Sequence, residues 1–333
     1  MPTELKINTV FKGTVAGEII RAIFMEADTL KKGLISEILN VKGSYAFLRT
    51  VLLENGLIDY QCKFEPAGDV EFDEKEVRLK KIMLPIELCK EDFRDTWEGQ
   101  QMSSSAHNSE GIPEAPLEAI MLTAKEMVAS VIENDIWIGD YGKSGRFGGL
   151  LVELIKNAND KAISFLPSDD EITVANVEDI LGGVIDATPI EVLQRSDFKL
   201  VIDVKTMSKY KRSLRLANFA MSEAEFDGYK LETANGLPKG TIIAYTKGNL
   251  KFLAGTKEDF NEIQIIDLSD KTGDDVVRLK MVYNAGATYV KADYIRVYME
   301  KASQDEISAF TAAPNRWISD ATNGGGEEEE GGE

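Results

Sequence analysis

The stretch PLEAIMLTAKEMVASVIENDIWIGDYGKSGRFGGL, residues 116–150, combines a long helical pattern with a glycine-rich stop. Its apolar residues recur at spacings of three and four, as on one face of an α-helix: Leu117, Ile120, Met121, Ala124, Met127, Val128, Val131 and Ile132. Charged residues fall on the other faces: Glu118, Lys125, Glu126 and Glu133. With Pro116 at its start and Gly139 as its stop, the pattern predicts a helix over 116–138, about 34 Å long. The residues Phe147-Gly148-Gly149-Leu150 then open a second helix that runs to about residue 156.

An alternating pattern before this helix predicts a two-stranded arm. The turn is residues 65–69, the return strand covers 70–82, and the outgoing strand has apolar residues at every second position: Ile58, Tyr60, Cys62 and Phe64. Such strands project about 20 Å or more from the body, and an isolated hairpin is only marginally stable in water. Because the return strand is rich in charged residues, we predict an exposed arm that packs on a neighbouring copy of the chain.

The composition limits what the chain can bind. With 333 residues and 43% hydrophobic content, the chain has enough material for a substantial core in one large or two ordinary domains. Its 57 Asp and Glu against 38 Lys and Arg give a formal net charge of -19. That excess argues against a broad phosphate-binding surface, because affinity for nucleic acid comes from basic side chains. The sequence has no apolar leader and no apolar run long enough to cross a bilayer, so we expect a cytosolic, soluble chain.

The remaining sequence mixes helical and strand patterns. Residues 17–30 predict an amphipathic helix, whereas residues 34–53 show no clear period and receive no assignment. From about residue 157 to 261, helical segments alternate with a strand at 198–204, which indicates an α/β unit. Four further strands follow from the alternation and apolar content of residues 241–245, 262–268, 276–283 and 289–297.

The order of these features resembles the major capsid proteins of tailed bacteriophages. The order comprises the charged arm, the segment IELCKEDF at 86–93, the long helix ending in IWIGD, FGGL at 147–150, the strand and helix of 200–214, and the run from Gly236 to Val297. No single motif among them is specific, and the resemblance covers about residues 50–300. It implies an α+β fold of the Hong Kong-97 type, with a long spine helix, an extended β-hairpin arm, and peripheral and axial domains.

The resemblance also implies domain limits and partners. It assigns 1–49 to an N-terminal arm with an amphipathic helix, 50–88 to the hairpin arm, 89–156 with 262–310 to the peripheral domain, 157–261 to the axial domain and 311–333 to a disordered acidic tail. It implies a structural protein of the virion, assembled in the host cytoplasm, whose pentamers and hexamers form an icosahedral shell around double-stranded DNA without sequence-specific contacts. Portal, scaffolding or decoration proteins are the further partners, and no membrane is involved.

The residues support assembly independently of the resemblance. If each subunit's arm lies across the next subunit, the contacts form a closed ring when the rotation that relates neighbouring subunits adds up to a full turn. Many such linked contacts bind more strongly together than each does alone. We predict that the arm makes these inter-subunit contacts through five residues: Phe64, Phe72, Lys75, Arg78 and Lys80.

Apparent catalytic signals have simpler explanations. Gly142-Lys143-Ser144 resembles a phosphate-binding loop, but that motif needs a glycine where Trp137 stands and a strand where we predict a helix. The only histidine, His107, lies in the polar loop 100–111, and the acidic groups at 169–171 and 267–275 lack calcium-loop spacing. We predict no catalytic residue, no cofactor and no metal site. Two alternatives stay open: an encapsulin-type shell around cargo enzymes, and a cytosolic metal-dependent hydrolase that uses the acidic groups.

Two family features are expected to be absent. Some capsid proteins of this type join subunits by a lysine that attacks an asparagine, with a glutamate as base. The late strand has Arg278-Leu279-Lys280 and Ala285-Gly286-Ala287 where these partners would stand, so we predict no crosslink. Only about 50 residues precede the arm, which favours a separate scaffolding protein or none.

The glycine- and glutamate-rich residues 324–333 cannot form a core, so we predict a disordered tail.

Overall fold

A computed structural model describes most of the chain. The described residues are 10–12, 14–51, 59–60, 62, 71–89, 114–156, 164–166, 171–216, 224–255, 262–268, 272–301 and 303. The helices are α1 (Thr14–Phe24), α2 (Asp28–Lys31), α3 (Glu114–Ile138), α4 (Leu150–Lys156), α5 (Val177–Asp186), α6 (Ile190–Leu193) and α7 (Val204–Leu216). The strands are β1 (Val10–Lys12), β2 (Ser36–Leu39), β3 (Ser44–Val51), β4 (Glu71–Arg78), β5 (Lys80–Cys89), β6 (Ser164–Leu166), β7 (Phe198–Ile202), β8 (Glu225–Phe226), β9 (Tyr229–Thr233), β10 (Thr241–Thr246), β11 (Leu250–Ala254), β12 (Glu262–Asp267), β13 (Val276–Tyr289) and β14 (Arg296–Met299).

The first sheet is built around the long strand β13. Its order is β1-β12-β13-β11-β2, and β5 pairs with β13 outside this path. Ala285 pairs with both Ala254 of β11 and Lys80 of β5, so these two strands lie on opposite sides of β13. One hydrophobic core is shared by this sheet and helices α1, α3 and α4. Its largest fully buried side chains include Phe24, Trp137 and Phe252.

The second sheet lies between two cores. Its order is β6-β14-β10-β7-β9-β8. Ile243 and Tyr245 of β10 belong to the core of the first sheet, whereas Ile242 and Ala244 belong to a second core with α5 and α7. Because successive residues of a strand point to opposite faces, this division means that both faces of β10 are covered. Burial on both faces explains the apolar runs at 200–202 in β7 and 242–245 in β10.

The predicted spine helix and its stop are both present. Helix α3 ends at Ile138, and the Gly149 N–H donates to the Gly139 carbonyl at 2.7 Å, which brings the loop after α3 back onto the helix end. A Cβ at Gly139 would lie 2.3 Å from the Phe147 carbonyl oxygen, and one at Gly149 would lie 2.4 Å from the Gly139 nitrogen. The two glycines therefore allow main-chain contact at a point where no side chain fits.

Several predicted elements are corrected by the structure. The single helix predicted over 17–30 is two helices, α1 and α2, because the chain turns after Phe24. The strand predicted over 289–297 is wrong, since β13 runs to Tyr289, a 3₁₀ turn covers Ala292–Tyr294 and β14 begins at Arg296. Strand β11 was not predicted. The unassigned residues 34–53 contain β2 and β3.

The arm exists, but with a different outgoing strand. Strand β4 pairs antiparallel with β3, from Ser44 opposite Arg78 to Val51 opposite Glu71. The predicted partner, residues 58–64, is described only at Asp59, Tyr60 and Cys62, which are not in a strand, and the predicted turn at 65–69 lies outside the described residues. Strand β5, which lies within the predicted arm at 50–88 except for Cys89, pairs along β13 in the first sheet.

Candidate assembly surface

The two faces of the arm differ in burial. On the inner face, Phe47 is buried and Val77 is half-buried; on the outer face, Glu74, Glu76 and Arg78 are exposed. The inner residues come together because Phe47 pairs opposite Lys75, and Tyr45 pairs opposite Val77. Within the described residues, this sheet consists of β3 and β4 alone. The arm thus presents a charged outer face that its own subunit does not cover.

A small apolar cluster fixes the base of the arm on its own subunit. It contains Val41, Phe47, Leu79 and Leu253, of which Leu253 belongs to β11. The N–H of Leu79, between β4 and β5, donates to the Gly43 carbonyl at 2.8 Å. The prediction that the arm lacks packing on its own subunit is therefore wrong at the base.

Lys75 attaches the arm to α4 and β13. Its Nζ lies 2.6 Å from a Glu153 carboxylate oxygen, donates to the Tyr289 carbonyl at 2.9 Å and stands 3.5 Å from the centre of the Tyr289 ring. The Lys75 side chain is only 13% exposed, so this ion pair is shielded from solvent more than a surface pair.

Lys80 attaches the start of β5 to the loop after the spine helix. Its Nζ donates to the Tyr141 carbonyl at 2.6 Å and also to the Lys143 carbonyl, and it lies 5.1 Å from the Tyr141 ring centre. The loop that follows the glycine stop of α3 thereby holds the arm at its base.

The five predicted contact residues are thus in different situations. Lys75 and Lys80 bind their own subunit, so their charge is engaged there. Arg78 lies on the outer face with a 75% exposed side chain, 3.5 Å from Glu76. Phe72 lies in β4, and Phe64 falls outside the described residues. Contact with a second subunit stays a prediction for these residues, and among Lys75, Arg78 and Lys80, whose side chains are described, Arg78 is the most exposed.

The same loop carries a buried ion pair with the spine helix. Arg146 Nη1 donates to Asp135 Oδ1 at 2.7 Å, and Asp135 Oδ2 has no hydrogen-bond partner among the described residues. Burial raises the pKa of the Asp135 carboxyl to about 6, and the Arg146 guanidinium opposes this rise without cancelling it. The pKa of the Tyr283 hydroxyl is raised mainly by its own burial, and the nearby Asp135 charge contributes to the same rise.

The raised pKa of Asp135 predicts a defined pH dependence. A carboxyl whose pKa is higher in the folded than in the unfolded state stabilises the fold below about pH 4, and this contribution is lost as the pH rises through 6. A shift of this size corresponds to about 3 kcal/mol in the free energy of unfolding. The difference in free energy of unfolding between Asp135→Asn and wild type should therefore change by about 3 kcal/mol between about pH 3 and pH 7, measured by urea unfolding. The exposed Asp186→Asn is the control and should keep the wild-type slope; parallel curves for Asp135→Asn and wild type would contradict the assignment.

The structure describes only part of the other candidate sites. Gly142-Lys143-Ser144 follows helix α3, which is not the strand that a phosphate-binding loop requires. No group of three or more His, Cys, Asp or Glu side chains in the described part is placed to hold a metal ion. His107, Asp169, Asp170 and Asp270 lie outside the described residues. Among the described helices, none has the length and apolar character needed to span a bilayer.

Comparison with solved structures finds this architecture in capsids. A chain from the capsid of an empty GTA particle is 12% identical with a TM-score of 0.56, covering 90% of this chain and 94% of that one. A chain from the capsid of Myoviridae phage XM1 is 12% identical with a TM-score of 0.55, covering 90% and 96%. A chain from the cyanophage A-1(L) capsid is 10% identical with a TM-score of 0.54, covering 90% and 95%. No protein-family model matches the sequence, and no curated protein gives a significant match.

These similarities define the class of fold. The chain has the α+β fold of phage capsid chains, and the match extends over nearly the whole length of both partners. The spine helix, the two-stranded arm and the two sheets identified above are its parts, which confirms the predicted Hong Kong-97-type fold.

Proposed function

We propose that this protein is a major capsid protein that assembles into an icosahedral shell around double-stranded DNA. The observation that carries the proposal is the arm, which is fixed at its base by Phe47, Lys75 and Lys80 but leaves its charged outer face uncovered. Such an exposed, charged face suits a contact with another copy. The capsid fold of the whole chain supports the same function.

The proposal includes a division of labour within the subunit. The arm of β3 and β4 contacts a neighbour, the spine helix and the first sheet form the peripheral domain, and the second sheet with α5 and α7 forms the axial domain. Strand β14 at 296–299 falls in the predicted peripheral domain but pairs in the second sheet. Strand β11 at 250–254 falls in the predicted axial domain but pairs in the first sheet. Pentamers and hexamers, a portal, a scaffolding or decoration protein and assembly in the host cytoplasm belong to this proposal, as does a structural role without catalysis.

Particle size is the first test. Size-exclusion chromatography with negative-stain microscopy should show shells or rings of the purified chain. A small oligomer that binds a divalent ion would instead favour the metal-dependent hydrolase. The contents of purified shells then separate the two shell functions, since double-stranded DNA supports the capsid and a cargo enzyme supports the encapsulin.

Charge reversal at Arg78 tests the role of the arm. Arg78→Glu should leave the subunit folded, within about 1 kcal/mol of wild type, because the side chain is exposed and its pair with Glu76 is a surface pair. Shell yield, measured by sedimentation, should fall strongly. Lys230→Glu places the same charge change on an exposed side chain of β9 and should assemble normally. A normal yield of Arg78→Glu shells would exclude this residue from the contact; Lys80 is unsuitable for the test because it holds its own subunit together.

A further inference from the structure

Helix α7 carries a basic face on a strongly acidic chain. Lys205, Lys211, Arg212 and Arg215 are exposed along this helix of 13 residues, whereas the whole chain has a formal net charge of -19. Lys205, Arg212 and Arg215 recur at spacings of seven and three, which places them on one side of the helix. We refer to these four residues as the basic face of α7.

The acidic side chains near α7 do not neutralise this face. Asp203 accepts hydrogen bonds from the N–H groups of Lys205, Thr206 and Gly240, at 2.8, 3.1 and 2.9 Å. Glu178 accepts from the Ser213 hydroxyl at 2.7 Å. None of the four cations of the basic face forms an ion pair with a described residue, so their charge is available to an anionic partner.

Two other carboxylates serve a different lysine. Glu171 and Glu300 lie 3.9 and 4.0 Å from Lys209 Nζ. The Lys209 side chain also donates to the Ile172 carbonyl and is only 21% exposed. Lys209 therefore belongs to the packing of α7 on the body and not to its basic face.

The described part of the chain ends beside the first turn of α7. The Glu300 N–H donates to the Gly240 carbonyl at 3.1 Å, and Gly240 donates to Asp203, the residue before α7. The Ser303 hydroxyl donates to the Lys239 carbonyl. Between Ser303 and the run Glu327–Glu330 lie 23 residues. A segment of that length can extend to about 80 Å, four times the roughly 20 Å length of α7.

We propose that the acidic run Glu327–Glu330 binds the basic face of α7 in the same chain. Four consecutive carboxylates match four cations, and the covalent connection gives the run an effective concentration of about a millimolar at the helix. Nucleic acid is the competing polyanion, but it must approach a subunit with a large negative charge, which repels it. The bound run therefore shields the only part of α7 that could hold phosphate groups.

Affinity for a short duplex DNA at low salt tests this shielding on unassembled subunits. The full chain with Glu327→Gln, Glu328→Gln, Glu329→Gln and Glu330→Gln should bind the duplex about tenfold more tightly than wild type, because the basic face is released. Adding Arg212→Gln and Arg215→Gln should abolish that gain. Adding Lys42→Gln and Lys230→Gln, which remove two exposed cations elsewhere, should preserve it.

The same experiment can overturn the proposal. Unchanged duplex affinity in the four-glutamine variant would show that the acidic run does not shield α7. An equal loss of the gain with both pairs of cation substitutions would show that overall charge, and not the basic face, is responsible. Neither result depends on shell formation, so the proposal can fail while the capsid function stands.

Carbodiimide crosslinking identifies which chain supplies the acidic run. This reagent joins a lysine amine and a carboxylate only when they are in contact, so Lys205 or Lys211 should be linked to Glu327–Glu330 at low salt. In a mixture of isotopically light and heavy chains, the linked peptides should come from one chain. A majority of mixed pairs, or no link to these lysines, would overturn binding within the same chain.

Discussion

Gly149→Ala is expected to destabilise the subunit strongly. A Cβ at this position would lie 2.4 Å from the Gly139 nitrogen and 2.8 Å from both the Ile138 nitrogen and the Trp137 carbonyl oxygen. All three atoms are main chain at the end of the spine helix, so no side-chain rotation can relieve the overlap. We expect a loss of at least about 3 kcal/mol, a large share of the stability of an ordinary domain.

The neighbouring glycine supplies a matched control for this prediction. A Cβ at Gly148 would have the Tyr141 Cβ as its nearest neighbour, at 3.8 Å, which is an ordinary contact. Gly148→Ala should therefore fold, with a free energy of unfolding within about 1 kcal/mol of wild type. Soluble yield and urea unfolding followed by circular dichroism would compare the two variants. Equal behaviour of Gly148→Ala and Gly149→Ala would show that the main-chain contact with Gly139 does not limit the packing.

Local signals explain which parts of the fold were predictable. The spacing of apolar residues and the stop at Gly139 determine α3 within the helix itself, and the structure confirms both. The break between α1 and α2 was missed because Phe24, Ala27 and Leu30 remain buried on both sides of it, so the apolar spacing continues through the turn. Periodicity reports which side chains are buried and does not report how the backbone connects them.

The arm shows why strand partners were harder to predict. A return strand over residues 70–82 is predicted from the sequence, but its partner depends on a pairing between distant residues, and β3 lies in a segment to which the sequence assigns no element. Tyr45 and Phe47, whose ring centres are 4.7 Å apart, are the signal that could have identified β3. The anchoring roles of Lys75 and Lys80 are set by carbonyls and a carboxylate far along the chain, so no local pattern indicates them.

Glu133 is a second residue whose role follows from distant partners. The helical pattern placed it on a polar face of the spine helix, but the structure buries it to 5% exposure. Its carboxylate accepts hydrogen bonds from the Thr29 N–H at 2.8 Å, the Thr29 hydroxyl at 2.7 Å and the Gly236 N–H at 2.9 Å. The Thr29 hydroxyl in turn accepts from Trp137 Nε1 at 2.8 Å. One side chain thus joins α2, the spine helix and the loop before β10.

Glu133→Ala is expected to lower the free energy of unfolding by about 4 kcal/mol. Truncation leaves two buried backbone N–H groups and the Thr29 hydroxyl without their acceptor, and each unsatisfied buried group costs about 1–3 kcal/mol. Glu133→Gln retains one oxygen acceptor but presents an amide N–H₂ to a donor, so its loss should be intermediate. Urea unfolding of the unassembled subunit would measure both variants.

The exposed Glu126 on the same helix separates this network from a general effect of charge. Glu126→Ala removes one carboxylate from α3, as Glu133→Ala does, yet its side chain is exposed. We expect its stability to stay within about 0.5 kcal/mol of wild type. If Glu133→Ala were as mild as Glu126→Ala, the hydrogen bonds to Thr29 and Gly236 would not hold the three elements together. A large loss confined to Glu133 would instead identify this carboxylate as the link that fixes α2 and the loop before β10 to the spine helix.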